Sequence, residues 1–257
     1  MAQTLKFGNK VWAAKEGAVL AYNDENSNYK PLPFDFTRAS SATRVNKSGL
    51  IETMPTGVAR IDYTDSADGA LLLEPASTNL ITYSEDFSNA YWIKSGASVT
   101  SGFLSPDGSI NAYKLVEDTS TGTHKIYKNN TSVTPSAKVT ISFYAKENGR
   151  DWIFIEDYDG NGGFYFDLKN GVIGTIFGVP DNYGFEEMAN GWFRLWVTNT
   201  EPSTSADFSI YTSNADNSLT YQGDGTSGVL IYGAQLEESS YPTSYIPTSG
   251  STVTRVA

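Results

Sequence analysis

Apolar and polar side chains alternate with a period of two in run after run of this chain, the signature of strands with one buried face. In Val139–Ala145, Ile141 and Phe143 point one way, Ser142 and Tyr144 the other. In Trp192–Val197, Phe193, Leu195 and Val197 share one face, and Trp192, Arg194 and Trp196 share the other. In Phe208–Thr212, Phe208 and Ile210 alternate with Ser209 and Tyr211. The same reading puts Leu230, Tyr232, Ala234 and Leu236 together, opposite Ile231, Gly233 and Gln235. Trp152–Tyr158 is apolar on both faces at its start, which predicts a central strand that packs on both sides or carries a binding face. Asp159-Gly160-Asn161-Gly162-Gly163 then predicts a tight turn into Phe164-Tyr165-Phe166, a hairpin. Turn residues recur about every ten positions, the spacing of a sandwich or barrel. The best helical stretch is Val11–Leu20, and Gly17 interrupts it.

The first 78 residues alternate less cleanly and contain Lys30-Pro31-Leu32-Pro33 and Met54-Pro55. They read as an extended, partly β arm for anchoring and assembly. Residues 249–257 are Ser/Thr-rich and read as a tail.

With 257 residues, 39% of them hydrophobic, the chain can bury a real core. It has no Cys, which excludes disulfides, Cys-based metal sites and thiol catalysis. A net charge of −11 repels phosphates, so nucleic acid is not an expected partner. No secretory leader is expected from Met1-Ala2-Gln3-Thr4-Leu5-Lys6. Apolar runs such as Leu71-Leu72-Leu73 and Val229–Tyr232 are too short to cross a bilayer, so no membrane partner is expected.

Catalytic patterns are sparse. The only histidine, His124, lies in a polar stretch and reads as an exposed loop residue. It supports neither a triad nor a histidine zinc site. Glu156, Asp157 and Asp159 are close in sequence, but glycosidase chemistry needs two opposed carboxylates. No catalytic residue is assigned. Asp157, Asp159 and Asn161 present oxygens at alternate positions, as a calcium loop does. The competing reading, a turn built from residues that tolerate positive φ, is favoured, and no cofactor is expected. The aromatic residues are more informative. Trp192 and Trp196 flank Arg194, and Trp152 and Tyr158 are expected on a neighbouring strand. Rings stack on the apolar faces of sugars while charged groups fix the hydroxyls. These five residues are the candidate carbohydrate-binding set. The competing reading is packing under a loop or against another subunit.

Three blocks resemble bacteriophage sequences. They are Phe34–Asn46 with Gly49–Glu52, then Leu71–Leu80 running into Ser84–Phe87 and Trp92, then Tyr232–Glu237 with Tyr241, Thr243–Thr248 and Thr252–Arg255. From about Phe34 onward the chain resembles phage head-spike, head-fibre and tail-fibre proteins that carry a carbohydrate-binding-type, concanavalin-like jelly roll. The resemblance implies an all-β fold, an antiparallel jelly-roll β-sandwich over residues 79–248 after the arm of residues 1–78. It implies a virion structural protein at the particle surface, made in the host cytoplasm. Its expected partners are other capsid or tail proteins, further copies of itself with a trimer favoured, and a cell-surface glycan. Asn190-Gly191-Trp192-Phe193-Arg194 recurs in that family as a turn into a strand, which implies a structural Trp192. In related modules adjacent acids on the last strand help hold calcium; Gly233-Ala234-Gln235 stand there in this chain. The expected function is thus a non-enzymatic fibre or spike subunit with weak glycan adhesion. The alternatives are a tailspike depolymerase, which lacks the expected long β-helical repeat here, and a secreted bacterial carbohydrate-binding module.

Overall fold

The computed structural model describes residues 20–23, 28–31, 36–157 and 162–257. The stretch Val11–Leu20, apart from Leu20, and the turn residues Tyr158, Asp159 and Asn161 lie outside the described residues. The chain forms two compact units. The first comprises residues 1–77, 244–246 and 254–257; the second comprises residues 78–243 and 247–253.

The first unit contains short antiparallel hairpins. Ala42–Val45 pairs with Ile51–Met54, and Ile61–Asp62 pairs with Ala70–Leu71. Its sequence explains the first turn. The Asn46 side-chain oxygen accepts the Ser48 and Leu50 amides (2.9 and 3.1 Å), and Gly49 takes the positive φ of 75° that the turn requires. Ala42, Ile51 and Met54 are buried.

The second unit is the sandwich. Its strands are β1 (Ile93–Ser95), β2 (Ala97–Phe103), β3 (Ala112–Glu117), β4 (His124–Ser132), β5 (Lys138–Asn148), β6 (Trp152–Asp157), β7 (Gly162–Asp167), β8 (Val172–Gly178), β9 (Asn182–Glu187), β10 (Phe193–Thr200), β11 (Ser205–Ser213) and β12 (Gly228–Glu237). They form two six-stranded antiparallel sheets, ordered β9-β10-β5-β12-β3-β2 and β8-β7-β6-β11-β4-β1. The central strands of the first sheet, β10-β5-β12-β3, are matched by β7-β6-β11-β4 in the second. Steps β1 to β2, β3 to β4, β4 to β5, β5 to β6, β8 to β9, β10 to β11 and β11 to β12 change sheet. That interleaving is a jelly roll.

The alternating residues put the core where the pattern predicts. Ile141, Phe143, Leu195 and Val197 from one sheet are fully buried, as are Ile153, Ile155, Phe208 and Ile210 from the other. Phe208 lies edge-on to Trp92 at 5.6 Å and to Phe143 at 6.0 Å. Truncating Phe208 to Ala would cost about 3–5 kcal/mol. The hairpin from β6 to β7 forms as expected, with Asp157 opposite Gly162.

One expected phase is broken. Val229 and Ile231 face the core, and so do Ala234 and Leu236, so the parity changes between them. The pairing of β5 with β12 shifts register there, opposite Ser142 to Tyr144. Gly233 sits in the shift with φ 63°, and the extra residue turns Tyr232 outward. Leu230 and Tyr232 therefore do not share a face with Ala234 and Leu236.

Candidate binding face

The two sheets present different outer faces. On the first sheet, strand register aligns Arg194, Tyr144 and Tyr232 in one row, and Trp196, Ser142 and Gln235 in the next. Arg194 is buried; its Nη2 donates to Thr243 O (2.6 Å) and Ser142 Oγ (3.2 Å), and the guanidinium lies over the Tyr144 ring. Glu237 accepts the Thr243 amide and hydroxyl at 2.9 and 2.7 Å. Tyr232 OH lies 3.1 Å from Glu85 and 3.0 Å from Asp107. Burial and these two carboxylates push its hydroxyl well above the ordinary tyrosine range. Trp196 is half-buried against its register partner Gly184, where a Cβ would come 2.6 Å from the indole ring. Trp192 is 1% exposed and follows the turn Asn190–Gly191, whose φ values are 62° and 73°. This face is closed by its own packing.

On the second sheet, register aligns Tyr165, Phe154, Tyr211 and Lys125 across four strands. Phe154 is 4.5 Å from the Tyr165 ring and 5.5 Å from the Tyr211 ring. The next row is Gly163, Glu156, Ser209 and Tyr127; the row on the other side is Asp167, Trp152 and Ser213. Tyr211 OH donates to Glu156 Oε2 at 2.8 Å, and Lys125 Nζ donates to Tyr211 OH at 3.1 Å. The ammonium sits over the Tyr127 and Tyr211 rings, 4.4 and 4.9 Å from their centroids. Lys125, Tyr127 and Trp152 are half-buried, and Phe177 of β8, edge-on to Phe154, is 45% exposed. Phe154, Tyr165, Tyr211 and Glu156 are themselves buried, at 1%, 4%, 7% and 6% exposed, so the row is a packed floor whose rim, Lys125, Tyr127, Trp152 and Phe177, reaches solvent.

Burial pushes the Glu156 carboxyl up, and Asp157 and Asp207 add to that; Tyr211 and Lys125 pull the other way without cancelling it. Burial lowers the Lys125 ammonium. The Tyr165 hydroxyl is pushed up to about 12 by burial, then by Asp216 and Glu156. Tyr211 is raised for the same primary reason.

The four described residues of the predicted set are therefore not assembled on one surface. Trp192, Arg194 and Trp196 belong to the first sheet side, with Trp192 and Arg194 buried. Trp152 lies on the outer face of the second sheet, and Tyr158 is outside the described residues. The reason is topological: β6 and β10 belong to opposite sheets, so their outward residues point apart. Of the oxygen set Asp157, Asp159 and Asn161, only Asp157 is described. It is buried on the face opposite Glu156 and accepts the Asp207 amide (3.2 Å) and Asn199 Nδ2 (3.3 Å). Adjacent strand residues cannot converge on one substrate, so Glu156 and Asp157 are not an acid pair.

His124 is not an exposed loop residue. It is fully buried at the start of β4, with Nδ1 2.6 Å from Gly96 O and Nε2 3.3 Å from Tyr221 O. Local polarity suggested exposure, but backbone carbonyls from distant segments lie against both ring nitrogens. The sequence reading also missed Lys125, Tyr127 and Tyr165 as members of this candidate face. Their signal was available: each occupies the outward phase of a strand.

No protein-family model and no curated protein matches the chain. Solved structures do. The enzymatically active domain of tailspike protein 4 from bacteriophage CBA120 matches at 14% identity and TM-score 0.37, over 62% of this chain and 21% of that one. The CBM22-1 xylan-binding domain of Paenibacillus barcinonensis Xyn10C matches at 16% identity and TM-score 0.40, over 66% of this chain and all of that one. The CBM22-1–GH10 modules of Clostridium thermocellum xylanase 10B match at 12% identity and TM-score 0.38, over 67% of this chain and 30% of that one. The chain thus spans only part of the tailspike domain and of the xylanase.

Proposed function

We propose that this chain is a non-enzymatic surface fibre or spike subunit of a bacteriophage virion, and that the outer face of its second sheet holds a saccharide weakly. The observation that carries the adhesive reading is the solvent-reaching rim Trp152, Phe177, Tyr127 and Lys125 around the buried cross-strand row Tyr165–Phe154–Tyr211, with Glu156 hydrogen-bonded to Tyr211. Trp152 and Phe177 supply stacking rings, and Lys125 and Glu156 supply a donor and a carboxyl for sugar hydroxyls. The three phage-like blocks support the virion setting. Many copies on one particle would turn weak contacts into avidity. The reading includes assembly as a homo-oligomer, a trimer favoured, attached to capsid or tail proteins at the virion surface after synthesis in the host cytoplasm.

Calorimetric titration of the purified protein with a panel of bacterial surface polysaccharides tests the adhesive part. Binding that Trp152→Ala or Lys125→Ala weakens supports it; a panel without binding ends it. Sedimentation equilibrium tests the trimer, and antibody-labelled electron microscopy of particles tests the location. One observation favours a second reading: a raised carboxyl among aromatics suits a general acid, as in a polysaccharide-cutting tailspike. Release of reducing ends from bound polysaccharide, lost in Glu156→Gln, would replace the adhesive reading with that one.

A further inference from the structure

The blocks that carry the phage resemblance supply the charged centre of the first unit, and the adhesive reading gives them no task there. Arg38 comes from the first block, Glu74 from the second, Ser244 and Arg255 from the third. With Arg60 they form one cluster. The three arginines are 3%, 2% and 1% exposed for Arg38, Arg60 and Arg255.

Arg38 donates to four backbone carbonyls, those of Ser40, Val58, Met54 and Pro55, at 2.7–3.3 Å. These carbonyl oxygens accept the hydrogens of its guanidinium. Arg60 Nη1 donates to Thr43 O (3.0 Å), Ser244 Oγ (2.7 Å) and Glu74 Oε2 (2.8 Å). Arg255 Nη2 lies 3.6 Å from the same Glu74 oxygen. Ser244 donates its amide to Glu74 Oε1 and its hydroxyl to Oε2, both at 2.7 Å. Glu74 Oε2 thus lies within 4 Å of both the Arg60 and the Arg255 guanidinium groups. It gathers donors from chain positions 60, 244 and 255. Glu74 therefore faces two buried guanidinium groups at once, and neutralising it removes a counter-charge from both in a low-dielectric interior.

We infer that Glu74 is an acid-releasable clasp: ionised, it binds residues 36–77, 244–246 and 254–257 into one closed unit, and protonated, it lets the two C-terminal segments go. The groups that face it are Arg60, Arg255 and Ser244, with Arg38 acting on the cluster through space. Burial alone would raise the Glu74 carboxyl; Arg255, Ser244 and Arg60 outweigh burial and hold it below the ordinary value of 4.5. Clasp stability is therefore present above that ordinary value and is lost as pH falls through the lower folded one. The inference does not depend on the glycan reading.

Hydrogen exchange and limited trypsin digestion of the full chain test it. At neutral pH, Glu74→Gln should speed exchange in Ala42–Met54 and cleavage after Arg44 and Lys47 by roughly two orders of magnitude, with β5 and β12 still protected. Glu52→Gln, which removes a more exposed partner of Arg44 (2.8 Å), should change these rates by no more than about twofold. Unchanged protection of Ala42–Met54 in Glu74→Gln overturns the clasp. If that variant does not accumulate, the wild-type chain is titrated with acid. Loss of protection in Ala42–Met54 before β5 and β12 supports the clasp, and simultaneous loss overturns it.

Discussion

On the first sheet, the outward row Arg194–Tyr144–Tyr232 ends in bonds to its own chain: Arg194 to Thr243 O, Tyr232 to Glu85 and Asp107. On the second, the buried row Tyr165–Phe154–Tyr211 ends in a half-buried lysine, Lys125, over the half-buried Tyr127 ring, with half-buried Trp152 in the neighbouring row. Both rows mix aromatic rings with charge, and both lie on the outward phase of a jelly-roll sheet. The difference is what completes the polar groups. Where the chain supplies the partners, an aromatic-plus-arginine pattern is packing. Where the rim of the pattern runs out into solvent, its rings and charge stay uncovered.

Breaking one face should cost stability and breaking the other should cost binding. On the first face the larger stability effect is expected for Arg194→Met. It removes a buried cation bonded to Thr243 O and Ser142 Oγ, and should lower the unfolding free energy by about 2–4 kcal/mol in urea titration. Saccharide affinity should not change. Gly184→Val drives a side chain into the Trp196 ring and should cost about 1–3 kcal/mol by the same assay. Trp152→Ala should weaken saccharide binding roughly tenfold or more, measured calorimetrically, with a smaller effect on stability than Arg194→Met. If instead Arg194→Met alone removes binding, the comparison is reversed.

The smallest effect is a pH dependence. Burial raises the Glu156 carboxyl above the ordinary 4.5. Between those two values the folded chain holds a proton that the unfolded chain has released, so this residue's contribution to stability falls as pH rises. Glu156→Gln should remove that decline. Comparing the two unfolding curves across mildly acidic pH checks the sign; a variant whose stability falls with pH as steeply as the wild type contradicts it.

Local chemistry made much of this legible. The alternation in Val139–Ala145, Trp192–Val197 and Phe208–Thr212 assigns core and outward faces because a strand has a strict two-residue period. It fails at Leu230–Leu236, where Gly233 adds one residue and shifts the phase. It also fails at His124, whose carbonyl partners Gly96 and Tyr221 are remote in sequence.

The sequence by itself determined the all-β character, the buried side of most strands, the hairpin from β6 to β7 and the outward position of Tyr211 and Trp152. Tertiary structure alone decided which outward residues become neighbours. Trp152 and Trp196 have similar local patterns but sit on opposite sheets, whereas Tyr165, Phe154, Tyr211 and Lys125 meet because four strands align in register. Side-chain direction is a local property of the backbone, but adjacency across a sheet depends on pairings between distant segments, which no period within one strand encodes.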